Sequence, residues 1–238
     1  METKLTELVS KLKAAAGENL KAVVLYGSAA TSEYQSAHSD VNVLCLLERA
    51  ALSDLEKLHF VAEWWMNEKN PPPVIFTHEE LLRSADVFAI ELLDMKHRHR
   101  MLYGEDFLEK MDVPLKLHRL QVERELRNNW MRLRQAVLAA EPRKRVRLAI
   151  MLSSLPTFCV LFRHALIGLA QPEPHTKREA VDGVAALTGA DASGFHAMLD
   201  LRAGKIKERE IDPEAVLQTY LEFVEIATNE VDRRFETR

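Results

Sequence analysis

Strand-forming residues are confined to one end of this chain, and that asymmetry limits the folds open to it. Lys21–Tyr26, Val41–Leu47 and Val74–Phe76 are short, apolar runs rich in branched side chains, and Met101–Tyr103 adds a short candidate edge strand that stops at Gly104. Beyond Pro114 no such run recurs. The spacing there predicts helices near 114–140, 143–169, 176–188, 193–203 and 213–235, with Pro114, Pro142 and Pro213 in first turns and Pro156 kinking or splitting the second helix. The fold class is therefore α+β: a small mixed-sheet domain over 1–112, then an all-α helical bundle over 113–238.

Capping signals sharpen the first half. Leu5, Leu8, Val9 and Leu12 recur at helical spacing before Gly17. Ser53 with Glu56, and Thr77 with Glu80, read as capping boxes, and so does Thr176 with Glu179 in the second half. A further helix is expected to start at Asp86. The order is helix–strand–strand–helix–strand–helix.

A chain of 238 residues with 47% hydrophobic and 29% charged residues can bury a core. A net charge of −4 gives no global pull toward nucleic acid or membrane. The start, "METKLTELVSKLKAAAG", lacks the apolar segment of a signal peptide, and no apolar run approaches the ~20 residues that span a bilayer. A cytoplasmic location is the expectation, with Cys45 and Cys159 as buried reduced thiols.

The chemistry is concentrated in "VVLYGSAATSEYQSAHSDVNVLCLL", Val23 to Leu47. Gly27-Ser28 lets the first strand turn sharply, and "AATSEY" reads as a short helix whose first backbone N–H groups, with the Ser28 hydroxyl, make an anion cradle. Asp40 and Asn42 alternate with Val41 and Val43, so they share a face of the second strand. If the two strands pair, oxygen ligands and phosphate cradle converge, as in sites that hold Mg²⁺ for phosphoryl transfer. The alternative is a plain loop followed by a strand that begins with Asp.

Gly27-Ser28, eleven residues, then Asp40-Val41-Asn42 resembles the nucleotidyltransferase superfamily, which includes DNA polymerase beta, the antibiotic nucleotidyltransferases and the minimal bacterial nucleotidyltransferases. The match covers roughly Leu20 to Phe76, with looser support to Gly104, and "LYGEDF" looks like the segment that closes the family's first domain. The resemblance implies Mg-dependent transfer of a nucleoside monophosphate from a nucleoside triphosphate to a hydroxyl acceptor. Asp40 and Asn42 would be the catalytic and metal-binding pair, and Gly27 and Ser28 the nucleotide-binding residues.

Two departures weaken the match. Asn42 stands where the family has a second acid, which costs the metal a negative charge and several kcal/mol of Coulomb attraction before solvent relaxes. The third strand, "VIFT", has no acid where the family places a base or third ligand, at Ile75 or Phe76. Glu79, Glu80, Glu91 and Asp94 are the nearby substitutes. The other function class is therefore a catalytically degenerate nucleotide-binding or protein-interaction module.

From Lys116 to Arg147, ten Lys/Arg face three acids, a local charge of +7. Two readings stand: a clamp for triphosphate or RNA backbone, or a solvated helix face with local ion pairs. "RKRVR" is too short and too apolar for a nucleic-acid signature. In "MKHRHR" the pair His97 and His99 suits a metal only on a strand, and no third ligand is apparent. Phe60, Trp64 and Trp65 read as packing of helix on sheet. Which nucleotide, which acceptor and what oligomeric state are not written in the sequence.

Overall fold

Leu5, Leu8 and Leu12 place one apolar stripe on a helix, α1 (Glu2–Ala16), which Gly17 stops with a φ of 56°. A single 3-10 turn, Gly17–Asn19, leads into the first strand. The computed structural model describes residues 1–30 and 41–236 and falls into two units, Met1–Pro114 and Leu115–Arg238.

The first unit is built on four strands: β1 (Leu20–Tyr26), β2 (Asn42–Leu47), β3 (Val74–Thr77) and β4 (His99–Tyr103), in the order β3-β2-β1-β4. β1 runs antiparallel to β2 and β4, while β2 and β3 are parallel. A parallel pair needs a crossover, and α2 (Leu52–Asn67) supplies it. Val23 and Leu25 lie opposite Cys45 and Val43, and this face buries the α1 leucines with Leu58, Val61 and Trp65 of α2. Burial pushes the Cys45 thiol up to about 12, which leaves it inert as a nucleophile. At the end of β4, Gly104 has a φ of 83°, and a Cβ there would stand 2.1 Å from the Lys21 carbonyl oxygen, so the close approach to β1 demands glycine.

Local signals were met unevenly. The box at Thr77 is formed around α3 (His78–Arg83): the Glu80 N–H donates to Thr77 Oγ1 at 3.2 Å and the Thr77 N–H to Glu80 Oε2 at 2.8 Å. Ser53 does not cap α2, which starts one residue earlier on Ala51 with no side-chain cap. Asp86 does not start α4 (Ala89–His97); the N–H groups of Val87 and Phe88 bond the Ser84 carbonyl and complete a turn first. Trp65 is core and Trp64 packs beside it, but Phe60 is 77% exposed.

The second unit comprises α5 (Leu115–Ala139), α6 (Lys144–Gly168), α7 (Lys177–Thr188), α8 (Ser193–Arg202) and α9 (Pro213–Glu236). Pro213 opens α9, with Asp212 accepting from the Glu214 N–H; Pro114 and Pro142 lie ahead of their helices rather than inside them. α6 runs on through Pro156, because burial against the other four helices outweighs a proline cost of about 3 kcal/mol. It is also long and apolar enough to cross a membrane by length and composition, a property the residue runs did not announce; here it packs within the bundle. Phe158, Phe162, Phe195, Tyr220 and Phe223 form the centre, with Phe195 stacked on Tyr220 at 4.0 Å. The Tyr220 hydroxyl reaches Ser154 Oγ at 2.9 Å, and burial raises the phenol.

On α9, hydrogen bonds from Arg233 and Arg234 pull the Glu230 carboxyl down to about 2 from 4.5. A depressed carboxyl stabilises the fold above its unfolded value and loses that contribution as pH falls through the folded one. Urea titrations of the native chain and of Glu230→Gln should therefore differ near neutral pH, by about 0.5 kcal/mol for so wet a pair, and converge near pH 2.

Candidate functional site

β1 ends at Tyr26 because Gly27 turns the chain with a φ of 76°. The Gly27 N–H donates to the Arg98 carbonyl at 3.1 Å, tying the turn to the entry of β4. Gly27–Ala30 then form a single 3-10 turn, where the sequence led us to expect the first part of a short helix. The remainder of that expected helix, and Asp40, lie outside the described residues. Chain order resumes at β2, whose first residue, Asn42, lies directly opposite Tyr26. The Asn42 side-chain nitrogen lies 3.5 Å from where a Cβ on Gly27 would stand. The glycine turn and the amide thus meet at one end of the sheet.

Register adds residues the linear motif did not name. Tyr26 is flanked by Asn42 on β2 and by His99 on β4, and cross-strand neighbours share a face. Burial raises the Tyr26 phenol above its ordinary value. The His99 ring sits between two acceptors: Nδ1 is 3.0 Å from the Lys96 carbonyl and Nε2 is 2.8 Å from Asp106 Oδ2. Carbonyl and carboxylate oxygens only accept, so whichever ring nitrogen carries hydrogen donates to the oxygen it faces, and the tautomer sets which. Burial alone would raise the Asp106 carboxyl, but the His99 hydrogen bond and backbone N–H donors outweigh it and hold the group below its usual value. His97, by contrast, belongs to α4, so the two histidines of "MKHRHR" sit on different elements. The signal for His99 was its strand position two residues before Met101; its partner Asp106 was not legible.

The same register decides what β3 presents. Leu44 lies beside Val74 and Leu46 beside Phe76, so Val74 and Phe76 share the Asn42 face, whereas Ile75 lies beside Cys45 on the core face. β3 offers no carboxylate to this face. Glu80 is held in its capping box and Glu79 pairs with Arg83 at 2.6 Å. On α4, Glu91 is exposed and Asp94 half-buried. For a Mg²⁺ ion the described residues of β2 and β3 supply one neutral oxygen, from Asn42, while the Asp106 carboxylate is engaged by His99, and no cluster of three His, Cys, Asp or Glu that could hold a metal occurs among the described residues. The fit to a hard cation therefore rests on Asp40.

Much of the basic stretch is paired or hydrogen-bonded inside the second unit. Arg127 pairs with Glu123 and Asp232, Arg143 with Glu141 and Arg147 with Glu214, while Arg119 donates to the Gly168 carbonyl and Lys144 to that of Ile211. Arg134 stacks on Trp130. The local +7 overstates the positive charge left for a ligand.

No protein-family model matches the chain, and no curated protein matches it either. Among solved structures, spectinomycin adenyltransferase AAD(9) from Enterococcus faecialis, determined with ATP and spectinomycin, aligns over 98% of this chain and 99% of its own, at 14% identity and a TM-score of 0.51. A mutant of the toxin–antitoxin pair MntA-HpeT aligns over 42% of this chain and 74% of its own, at 16% identity and a TM-score of 0.31, too low to bear on the argument. The first likeness extends over the whole chain: this is the nucleotidyltransferase fold with a helical C-terminal region.

Proposed function

We propose that this chain, with the fold of the nucleotidyltransferases as its premise, transfers a nucleoside monophosphate from a nucleoside triphosphate to a hydroxyl group. The observation that supports this most is the meeting of the Gly27 turn with Asn42 at the sheet end. In this reading the Gly27 turn, its own N–H engaged by the Arg98 carbonyl, brings the Ser28 backbone N–H to the phosphates, and Asp40 with the Asn42 carbonyl holds Mg²⁺. The ion, when bound, offsets the negative charge of the triphosphate. The acceptor oxygen bonds to the α-phosphorus, pyrophosphate leaves, and the hydroxyl proton passes to solvent or a base.

A second reading is favoured by one finding. Val74 and Phe76 on the Asn42 face, with Asn42 itself neutral, remove two of the three carboxylates that the resemblance implies. Such a protein would bind nucleotide without turning it over, as a sensor or interaction module.

Calorimetric titration with ATP and GTP, with Mg²⁺ or with EDTA, separates the two. The transferase predicts binding that depends on the metal, and pyrophosphate release when a panel of hydroxyl acceptors, spectinomycin among them, is supplied. Binding indifferent to EDTA, with no pyrophosphate, selects the module. Asn42→Asp should tighten Mg²⁺ at least ~10-fold, about 1.4 kcal/mol, by restoring the charge; unchanged affinity would show that Asn42 does not face the ion.

A further inference from the structure

We propose that the outer face of α2 docks α5 of a second copy of this chain. Leu52, Leu55, His59, Ala62 and Met66 follow one another at intervals of three, four, three and four residues, the spacing of a coiled-coil seam. Among the described residues of the first unit nothing covers this seam: Leu52 is 73% exposed, Leu55 40% and Met66 44%. Beside it runs a groove of about 530 Å³ with Leu12, Leu58 and Ile75 among its walls. An apolar stripe and groove of this kind mark an interaction surface. The spacing calls for a helix as the occupant.

Charge identifies which helix. Glu56 and Glu63 stand along the outer rim of the seam, both exposed, and neither makes an ion pair among the described residues. α5 carries the complement. Its Leu117, Leu120, Met131 and Leu138 are 36%, 63%, 53% and 87% exposed along one side. Arg124 and Arg132 accompany them, exposed and without an ion pair among the described residues, unlike Arg127 and Arg134 on the same helix. At 1.5 Å per residue the two glutamates are about 10 Å apart along their helix and the two arginines about 12 Å apart along theirs, so their axial spacings match. α2 packs on the Val43 and Cys45 face of the sheet, opposite the face that carries Asn42, so the contact is independent of the proposed chemistry.

Sedimentation of the full chain over a wide concentration range tests this. The expected result is a monomer that associates as concentration rises, more weakly at high salt. Leu55→Glu should abolish association. A chain with Glu56→Arg and Glu63→Arg, and another with Arg124→Glu and Arg132→Glu, should each associate at least ~10-fold more weakly, because each sets like charges against each other. An equimolar mixture of the two should associate again, because one chain's reversed α2 then meets the other's reversed α5. All of these positions are exposed, and circular dichroism checks that each variant is folded. A monomer at every concentration, association insensitive to Leu55→Glu, or a mixture that stays apart would each overturn the proposal.

Discussion

Replacing Asp40 with alanine should reduce Mg²⁺-dependent pyrophosphate release by ~10³-fold or more. In a site with two or three carboxylates, the loss of one leaves others to hold the cation. In the proposed site Asn42 is neutral and, among the described residues, β3 presents Val74 and Phe76, so the proposal puts the charge on Asp40. Several kcal/mol of lost Coulomb attraction, at about 1.4 kcal/mol per decade of rate, gives the stated magnitude. Asp40→Asn separates charge from shape: it should fall as far as the alanine variant while melting at the native temperature. Undiminished release from Asp40→Ala would take this residue out of the mechanism, and with it the likeness in its motif that brought nucleotidyl transfer into view.

The largest stability effect is expected at Phe195, far in sequence from any motif. Its ring is fully buried, stacks on Tyr220 at 4.0 Å and meets Phe162 and Phe223 at 5.3 and 5.0 Å. Phe195→Ala removes that volume and four aromatic contacts, Phe158 included, a loss of about 4 kcal/mol. For a unit of this size the transition should fall by roughly 10–20 °C. Thermal melts by far-ultraviolet circular dichroism, with near-ultraviolet spectra for the ring packing, read it directly. A loss below about 1 kcal/mol would mean that the bundle refills the space, contrary to the tight packing described.

The elements were largely legible because helix and strand signals are short-range. The α1 leucine stripe, the Thr77 box and the Asp212 cap each act within a few residues, and each is found where the residues place it. Ser53 misled because a box needs only two residue types at the right spacing, while α2 begins where Ala51 lets it. Pro156 misled for the opposite reason: its local cost is real, and burial of α6 overrides it.

The site was legible to a smaller depth. Gly27 and Asn42 could be paired on paper because one hairpin joins them. His99 and Asp106 could not, since that contact depends on β4 lying against β1. Likewise the count of arginines between Lys116 and Arg147 said nothing of Asp232 or Glu214, which neutralise two of them from α9.

Periodicity and capping residues determined, without coordinates, that a small sheet precedes a helical bundle, and the Gly-Ser to Asp-Val-Asn spacing directed the proposed phosphate chemistry to the end of the first strand. Only the tertiary structure decided which of Ile75 and Phe76 faces Asn42, which arginines remain unpaired, and which apolar helix faces stay open to solvent. Local preferences are set by neighbours in the chain, whereas the facing of a strand and the partner of a charge are set by residues brought together only when the sheet and the bundle close.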